Sequence, residues 1–364
     1  MKIRNVESYL VRIPFTVGGK LKDWASWNTL NNVLVRIDTD SGISGWGDAF
    51  GYGCAYATKA AVDKVVAPLL LGRDASDIAG TSKWLQQTNH IWGRYGVTMF
   101  AMGGVDIALW DIAGKAAGLP LHRLLGGKVK QSIPAYASLF KYQDPKVVAD
   151  VTKRAVKEGY RYVKLHETAV PETRAAREAA PDAAIMLDTN CPWSFEEARR
   201  IAEPLKELNL HWLEEPIWPP EDFDALNALR VESGIPIAAG ENACTSFEFK
   251  KMFDAEAVDY AQPSVTKVGG ITEFRKVMAL AEAYNVALMP HSPYFGPGFL
   301  ATLHLMASWP GQSLIERFYT KQEASYYGAV CDPVKGEYST IPDGPGLGMD
   351  PDMDVIKEYR DKSA

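Results

Sequence analysis

Three carboxylates recur at one interval along this chain. Asp188 in IMLDTN, Glu214 in HWLEEP and Glu241 in AAGEN each close a short apolar run, and about one strand-plus-helix repeat separates each from the next. Successive strands of a β/α barrel would deliver them to the same end, the C-terminal face where barrel sites lie. Three converging carboxylates suit a hard divalent cation such as Mg²⁺, which takes oxygen ligands, and no thiolate and imidazole set of the kind zinc prefers accompanies them. Residues two apart on a strand share a face, so in Tyr162-Val163-Lys164-Leu165-His166 the lysine and histidine point into the barrel mouth while Leu165 faces outward. His291 ends the seventh strand in ALMPHSP, and Glu316 follows the eighth in SLIERF. Asn190 shares a face with Asp188 and is a candidate for substrate contact, with a turn-forming asparagine as the alternative. Glu215 faces away from Glu214 and reads as an acid that supports the ligands.

These residues need a scaffold with eight similar repeats. From Ile133 onward short strands alternate with amphipathic helices, and strand ends fall near Ala137, Lys164, Asp188, Glu214, Glu241, Gln262, Pro290 and Ile315. Their separation is roughly 25 residues, the length of a β/α unit. Before this region, strands over Met1 to Asp48 with a turn at Asp40-Ser41-Gly42 precede helical patterns at Ala55 to Leu71 and Thr98 to Ala117. The expected fold class is therefore α/β, a TIM-like barrel with an α+β capping domain. The expected divisions are residues 1–128 for the cap, 129–320 for the barrel, and 321–364 for a tail that returns to the cap.

The chain has 364 residues, 47% of them hydrophobic, which is enough for a large core and two domains. Its net charge of −6 comes from interspersed charges without a basic run, which argues against nucleic acid and leaves a small molecule as partner. Cys54, Cys191, Cys244 and Cys331 form no CxxC pair, so a reducing cytoplasm is the simplest address. The N-terminus alternates like a strand and does not read as a signal peptide, and no stretch reads as a membrane span.

Taken together, VDIALWDIAGK with LPLHRLLGG, the KxH of Lys164 to His166, LDTN, WLEEP, GEN, the VGGI after Lys267, MPHSP and PDGPGLG resemble the enolase superfamily, within it the mandelate racemase-like subgroup, over essentially the whole length. The resemblance implies a (β/α)₇β barrel under an α+β cap, Mg²⁺ held by Asp188, Glu214 and Glu241, and removal of the proton α to a substrate carboxylate through an enediolate. Such a proton is weakly acidic, so the charge that develops needs donors. Lys164 as an ammonium and Glu316 in its protonated form would supply them, and Lys164 would also hold His166 neutral and ready to accept a proton. The family pattern further implies that the loops Gly18 to Asn28 and Phe50 to Tyr56 fold over the mouth. They bring Lys20, Lys22, Trp24, Trp27 and Tyr52 toward the substrate, and a symmetric homo-oligomer is expected.

Two departures from the pattern bear on the reaction. His166 stands where many members have a second lysine, and Ser264, a further candidate for substrate contact, stands in QPSVTK where many have the aspartate that orients the histidine of the seventh strand. One good base and one histidine without a carboxylate suit dehydration, which needs one base and one acid, better than racemisation, which needs two bases. The expected activity is a carbon–oxygen lyase that dehydrates an acid sugar, an aldonate or aldarate, to a 2-keto-3-deoxy acid. His166 is the first choice as base and His291 as acid, with the roles exchangeable. A lactone cycloisomerase or epimerase is the alternative enzyme, and an inactive scaffold the alternative outside enzymes.

Overall fold

The computed structural model describes residues 1–21 and 27–363. The N-terminal part is a meander of β1 (Ile3–Val17), β2 (Thr29–Thr39) and β3 (Ser44–Ala49), all antiparallel. The β2–β3 turn closes where Thr39 N–H donates to the Ile43 carbonyl at 3.1 Å, and Gly42 supplies the positive φ of 81° that the turn requires. Helix Gly96–Ala117 lies on this sheet. Its approach is set by small residues, because a Cβ at Gly47 would collide with the Gly104 carbonyl. The helix ends at Gly118 in the left-handed region, as a helix C-terminus favours. By length and composition it could cross a membrane, which corrects the expectation that no such stretch exists; yet 72% of its apolar window is buried, as in a core helix. A second cap helix, Ile78–Thr88, escaped the sequence reading. Gly80, Thr81 and Ser82 weaken its intrinsic preference, and the Asp77 side chain caps it by accepting from Gly80 N–H.

The barrel runs through β4 (Ile133–Ser138), β5 (Tyr162–Leu165), β6 (Ala184–Asp188), β7 (Trp212–Glu214), β8 (Ile237–Ala239), β9 (Tyr260–Ala261), β10 (Ala287–Leu288) and β11 (Ile315–Phe318). The ladder is parallel and continuous from β10 back to β4, with β11 on the far side of β4. Seven of the eight expected strand ends fall within two residues of an observed one. Ile315 is the exception, since it begins β11 rather than ending it. Outer helices start where the sequence places caps. Ser194 and Glu197 form a reciprocal capping box, and Asp144 caps a helix that has Pro145 at its first position.

What positions the site is a two-layer interior. On successive inward positions the strands read apolar and then polar: Tyr136 then Ser138, Tyr162 then Lys164, Met186 then Asp188, Trp212 then Glu214, Leu314 then Glu316. Tyr136, Met186, Trp212, Ala238, Met289 and Leu314 form one buried cluster across the barrel floor. Each large apolar member contributes roughly 1.5–3 kcal/mol of burial, and together they hold the polar layer one pleat above them. After β11 the chain returns to the cap. Residues Thr320–Gln322 pair with β1, and Asp361 N–H donates to the Leu10 carbonyl at 2.8 Å.

Candidate active site

The polar layer converges on Lys164. Its ammonium, fully buried, lies 2.8 Å from Glu214, 3.0 Å from Asp188 and 3.2 Å from Glu316. Asp188, Glu214 and Glu241 each turn an oxygen inward so that the three lie within 4.8 Å of one another. Glu241 sits two residues beyond β8, after Gly240 at a φ of 131°. Trp212 Nε1–H fixes the second oxygen of Glu214 at 2.8 Å, and Asn190 N–H donates to Asp188 at 3.1 Å.

The charge state supports a cation here. Burial, then the neighbouring Asp188, drives the Glu214 carboxyl well above its ordinary range. Asp188 is shifted the other way: burial opposes its ionisation, but Lys164 and His166 overcome this and hold it low. Glu241 behaves likewise, held low against burial by His291 and Lys267. Three carboxyl groups whose oxygens converge, one of them raised in pKa by burial and its carboxylate neighbour, offer the oxygen ligands and the negative charge that suit a divalent ion.

His166 and His291 occupy different walls. His166 Nε2 is 3.1 Å from Asp188, and its Nδ1 faces the Leu139 carbonyl, which can only accept, so Nδ1 carries a proton and Nε2 is the working nitrogen. Leu139 begins a loop held by the buried Glu167, which accepts from Tyr142 N–H at 2.6 Å and Gln143 N–H at 3.1 Å. His291 Nε2 is 3.0 Å from Glu241, while Nδ1 meets two hydroxyls, Ser264 and Tyr294, each at 3.3 Å.

Two electrostatic expectations are corrected. Burial and Lys164 do lower the His166 pKa, but Asp188 outweighs them and the net shift is upward, so Lys164 does not depress it as expected. Glu316 was expected to be protonated. Burial does favour that, yet Lys164 and His291 lower its pKa, and it accepts from Ser138 Oγ at 2.7 Å and Ser292 N–H at 3.1 Å. Nor does Glu316 follow the eighth strand; it lies inside β11.

The remaining candidates divide. Ser264 is buried against His291, as its position in QPSVTK suggested. Tyr52 belongs to the cap and donates its hydroxyl to the Pro293 carbonyl, in the loop that carries His291. Asn190 is exposed at a φ of 55°, which fits a turn residue whose backbone serves Asp188. Lys20 is exposed, and among the described residues it makes no ion pair with the carboxylates. Trp24 and Lys22 lie outside the described residues; Trp27 packs edge-on against Tyr52, with centroids 5.9 Å apart.

Sequence reasoning missed Tyr294, Glu167, Asn242 and Lys267. Lys267 approaches Glu241 at 3.6 Å and donates to Asn242 at 3.1 Å, and Asn242 in turn holds both oxygens of Glu215 at 3.0 Å. Burial, then Glu241, moves the Glu215 pKa up to about 8, in keeping with a supporting acid. The only prior signal for Lys267 was its place in VTKVGGI, and Glu167 had none.

Known proteins resemble this chain in sequence and fold. Residues 23–126 match the mandelate racemase / muconate lactonizing enzyme N-terminal domain, and residues 146–355 match the enolase C-terminal domain-like family. An arabinonate dehydratase of Saccharolobus solfataricus is 31% identical over 91% of this chain and 91% of its own length. A 3,6-anhydro-alpha-L-galactonate cycloisomerase of Streptomyces coelicolor is 33% identical over 95% and 96%. The crystal structure of the 3,6-anhydro-D-galactonate cycloisomerase from Zobellia galactanivorans superposes with a TM-score of 0.84 at 30% identity, covering 100% of both chains.

Proposed function

We propose, from the premise that this chain belongs to the mandelate racemase/muconate lactonizing enzyme family of the enolase superfamily and is an enzyme, that it dehydrates an acid sugar to a 2-keto-3-deoxy acid. The observation that carries this reading is the pair of imidazoles at opposite ends of one carboxylate row, His166 on Asp188 and His291 on Glu241. Asp188, Glu214 and Glu241 would hold Mg²⁺, which when bound supplies positive charge to the substrate carboxylate as its oxygens gain negative charge.

This chain's own residues carry the proton steps. His166, with Nδ1 committed to Leu139, would accept the α proton at Nε2 once Asp188, its partner at 3.1 Å, is engaged by a cation instead. Lys164 presents a fixed ammonium to the enediolate, which needs no reorganisation during the step. His291 donates from Nε2 to the β oxygen, which departs as water. The resulting enol takes up a proton at the β carbon to give the keto acid. The resemblance also supports a homo-oligomer, and four cysteines free of disulfides support a cytoplasmic setting.

A second reading is a cycloisomerase. If the β oxygen belongs to a ring, it stays attached after the bond breaks, and the same base and acid serve. The cycloisomerase relatives at 33% and 30% identity favour it. Incubating the enzyme and Mg²⁺ in D₂O with arabinonate, other aldonates, aldarates and anhydro-aldonates separates the readings. A dehydratase yields a keto acid one water lighter than its substrate, and a cycloisomerase an isomer. His166→Ala should bind Mg²⁺ normally and lose both α-proton exchange and product; product retained would move the base elsewhere. No exchange and no product from any compound would overturn the proposal.

A further inference from the structure

His291 lacks the carboxylate that would ordinarily orient a catalytic imidazole, yet its ring is not loose. Ser264 and Tyr294 hydroxyls bond each other, and both lie 3.3 Å from Nδ1. The Tyr294 ring meets the imidazole edge-on at 84°, with centroids 5.9 Å apart. All three side chains are buried. The loop bearing His291 and Tyr294 is held at two further points. Ser292 exchanges hydrogen bonds with Glu316, through its N–H at 3.1 Å and its Oγ at 3.2 Å, and Tyr52 of the cap grips the Pro293 carbonyl.

A carboxylate only accepts hydrogen bonds and adds a full negative charge, whereas a hydroxyl both donates and accepts and adds none. Two coupled hydroxyls therefore keep a partner for Nδ1 whether or not that nitrogen bears a proton. We propose that Tyr294 is a positioning residue: together with Ser264 it forms a neutral hydroxyl clamp on Nδ1 that aims Nε2 of His291 at the departing β oxygen. The clamp specialises His291 for the elimination step and leaves α-proton removal to His166. This inference rests on the dehydratase or cycloisomerase reading above.

Tyr294→Phe removes the hydroxyl and keeps the ring. The α-proton step uses the opposite wall, so exchange of substrate α hydrogen with D₂O should persist while elimination slows. With whichever aldonate or anhydro-aldonate the unmodified enzyme converts, kcat for elimination should fall roughly tenfold, the order set by one hydrogen bond to the proton donor, with KM little changed. The ratio of exchange to elimination should rise by about the same factor. Because the two hydroxyls act on one nitrogen, adding Ser264→Ala should lower elimination by less than the product of the single effects. Exchange and elimination falling in equal proportion, or neither falling, would overturn the proposal. An independent measurement needs no turnover: ¹⁵N-histidine spectra of the Mg²⁺-loaded protein should show the His291 Nδ1 resonance moving in Tyr294→Phe, and an unmoved resonance would likewise refute the clamp. If the unmodified enzyme neither exchanges nor eliminates with any compound, the proposed function fails, while the spectra still decide the clamp.

Discussion

Lys164→Met offers the sharpest test of the site's electrostatics. The ammonium is buried and lies within 3.2 Å of three carboxyl groups, so methionine of similar length removes their main compensation without opening a large cavity. Breaking a buried ion pair by deleting one partner costs about 3–5 kcal/mol. That figure applies to the protein stripped of divalent metal near neutral pH. Below that pH the carboxyls can take up protons instead. Their folded-state pKa values in the variant are raised, so the stability they confer is present at low pH and lost as pH rises. The deficit relative to the unmodified protein should therefore shrink on acidification.

Held by the triad as proposed, Mg²⁺ would supply a second compensation. A ligand at 100 times its Kd stabilises the folded state by about 2.7 kcal/mol, and the variant lacks the ammonium that repels the ion. Saturating Mg²⁺ should thus recover more stability in Lys164→Met than it adds to the unmodified protein. The assay is urea or thermal unfolding in EDTA and in excess Mg²⁺ at several pH values. Equal stability of the two proteins in EDTA would refute the reasoning, as would an equal gain from Mg²⁺.

Two further outcomes follow from the same geometry. Glu241→Gln should weaken Mg²⁺ binding beyond the ~10–100-fold that loss of an outer partner causes and should end turnover; calorimetric titration with ordinary affinity would remove Glu241 from the ligand set. Asp48, in β3, is buried with one hydrogen bond from Gly298 N–H at 3.3 Å, and burial moves its pKa up to about 7. Raised above its unfolded value, this group confers stability that is complete below about pH 4 and lost as pH rises through about 7, by no more than about 4 kcal/mol. Asp48→Asn should flatten the decline in melting temperature between pH 5 and 8, and parallel declines would contradict the assignment.

The carboxylate row was legible because strand geometry makes it so. A period of two forces Asp188 above Met186 and Glu214 above Trp212, so an apolar run that ends in an acid announces both a strand and its mouth. Lys164 and His166 were readable by the same parity. Parity fails where the chain leaves the strand. Glu167 should face outward by alternation, but it bends back to hold the backbone of a loop 24 residues earlier. The Ser264–Tyr294 pair spans 30 residues and two loops, and nothing local in either segment requires the other. The protonation states were illegible for another reason: whether Lys164 or Asp188 governs His166 depends on distances of about 3 Å that spacing cannot supply.

The two histidines are held by different parts of the molecule. Among the described residues, His166 hydrogen-bonds only within the barrel, to Asp188 and to Leu139 in the loop that Glu167 secures, although Phe140 of that loop also packs on Phe15 and Trp27 of the cap. His291 sits on a segment whose restraints come partly from the cap: Tyr52 on the Pro293 carbonyl, and Asp48 at Gly298 where the next helix begins. Proton removal from carbon leaves a charged, reversible intermediate, whereas departure of the β oxygen commits it. In the proposed mechanism the acid's loop is therefore tied to the cap by hydrogen bonds, whereas the base's loop meets the cap through the packing of Phe140. Removing the cap hydrogen bond to that segment, as in Tyr52→Phe, should therefore impair elimination before it impairs α-proton exchange, the same order of failure expected when the hydroxyl clamp on His291 is broken.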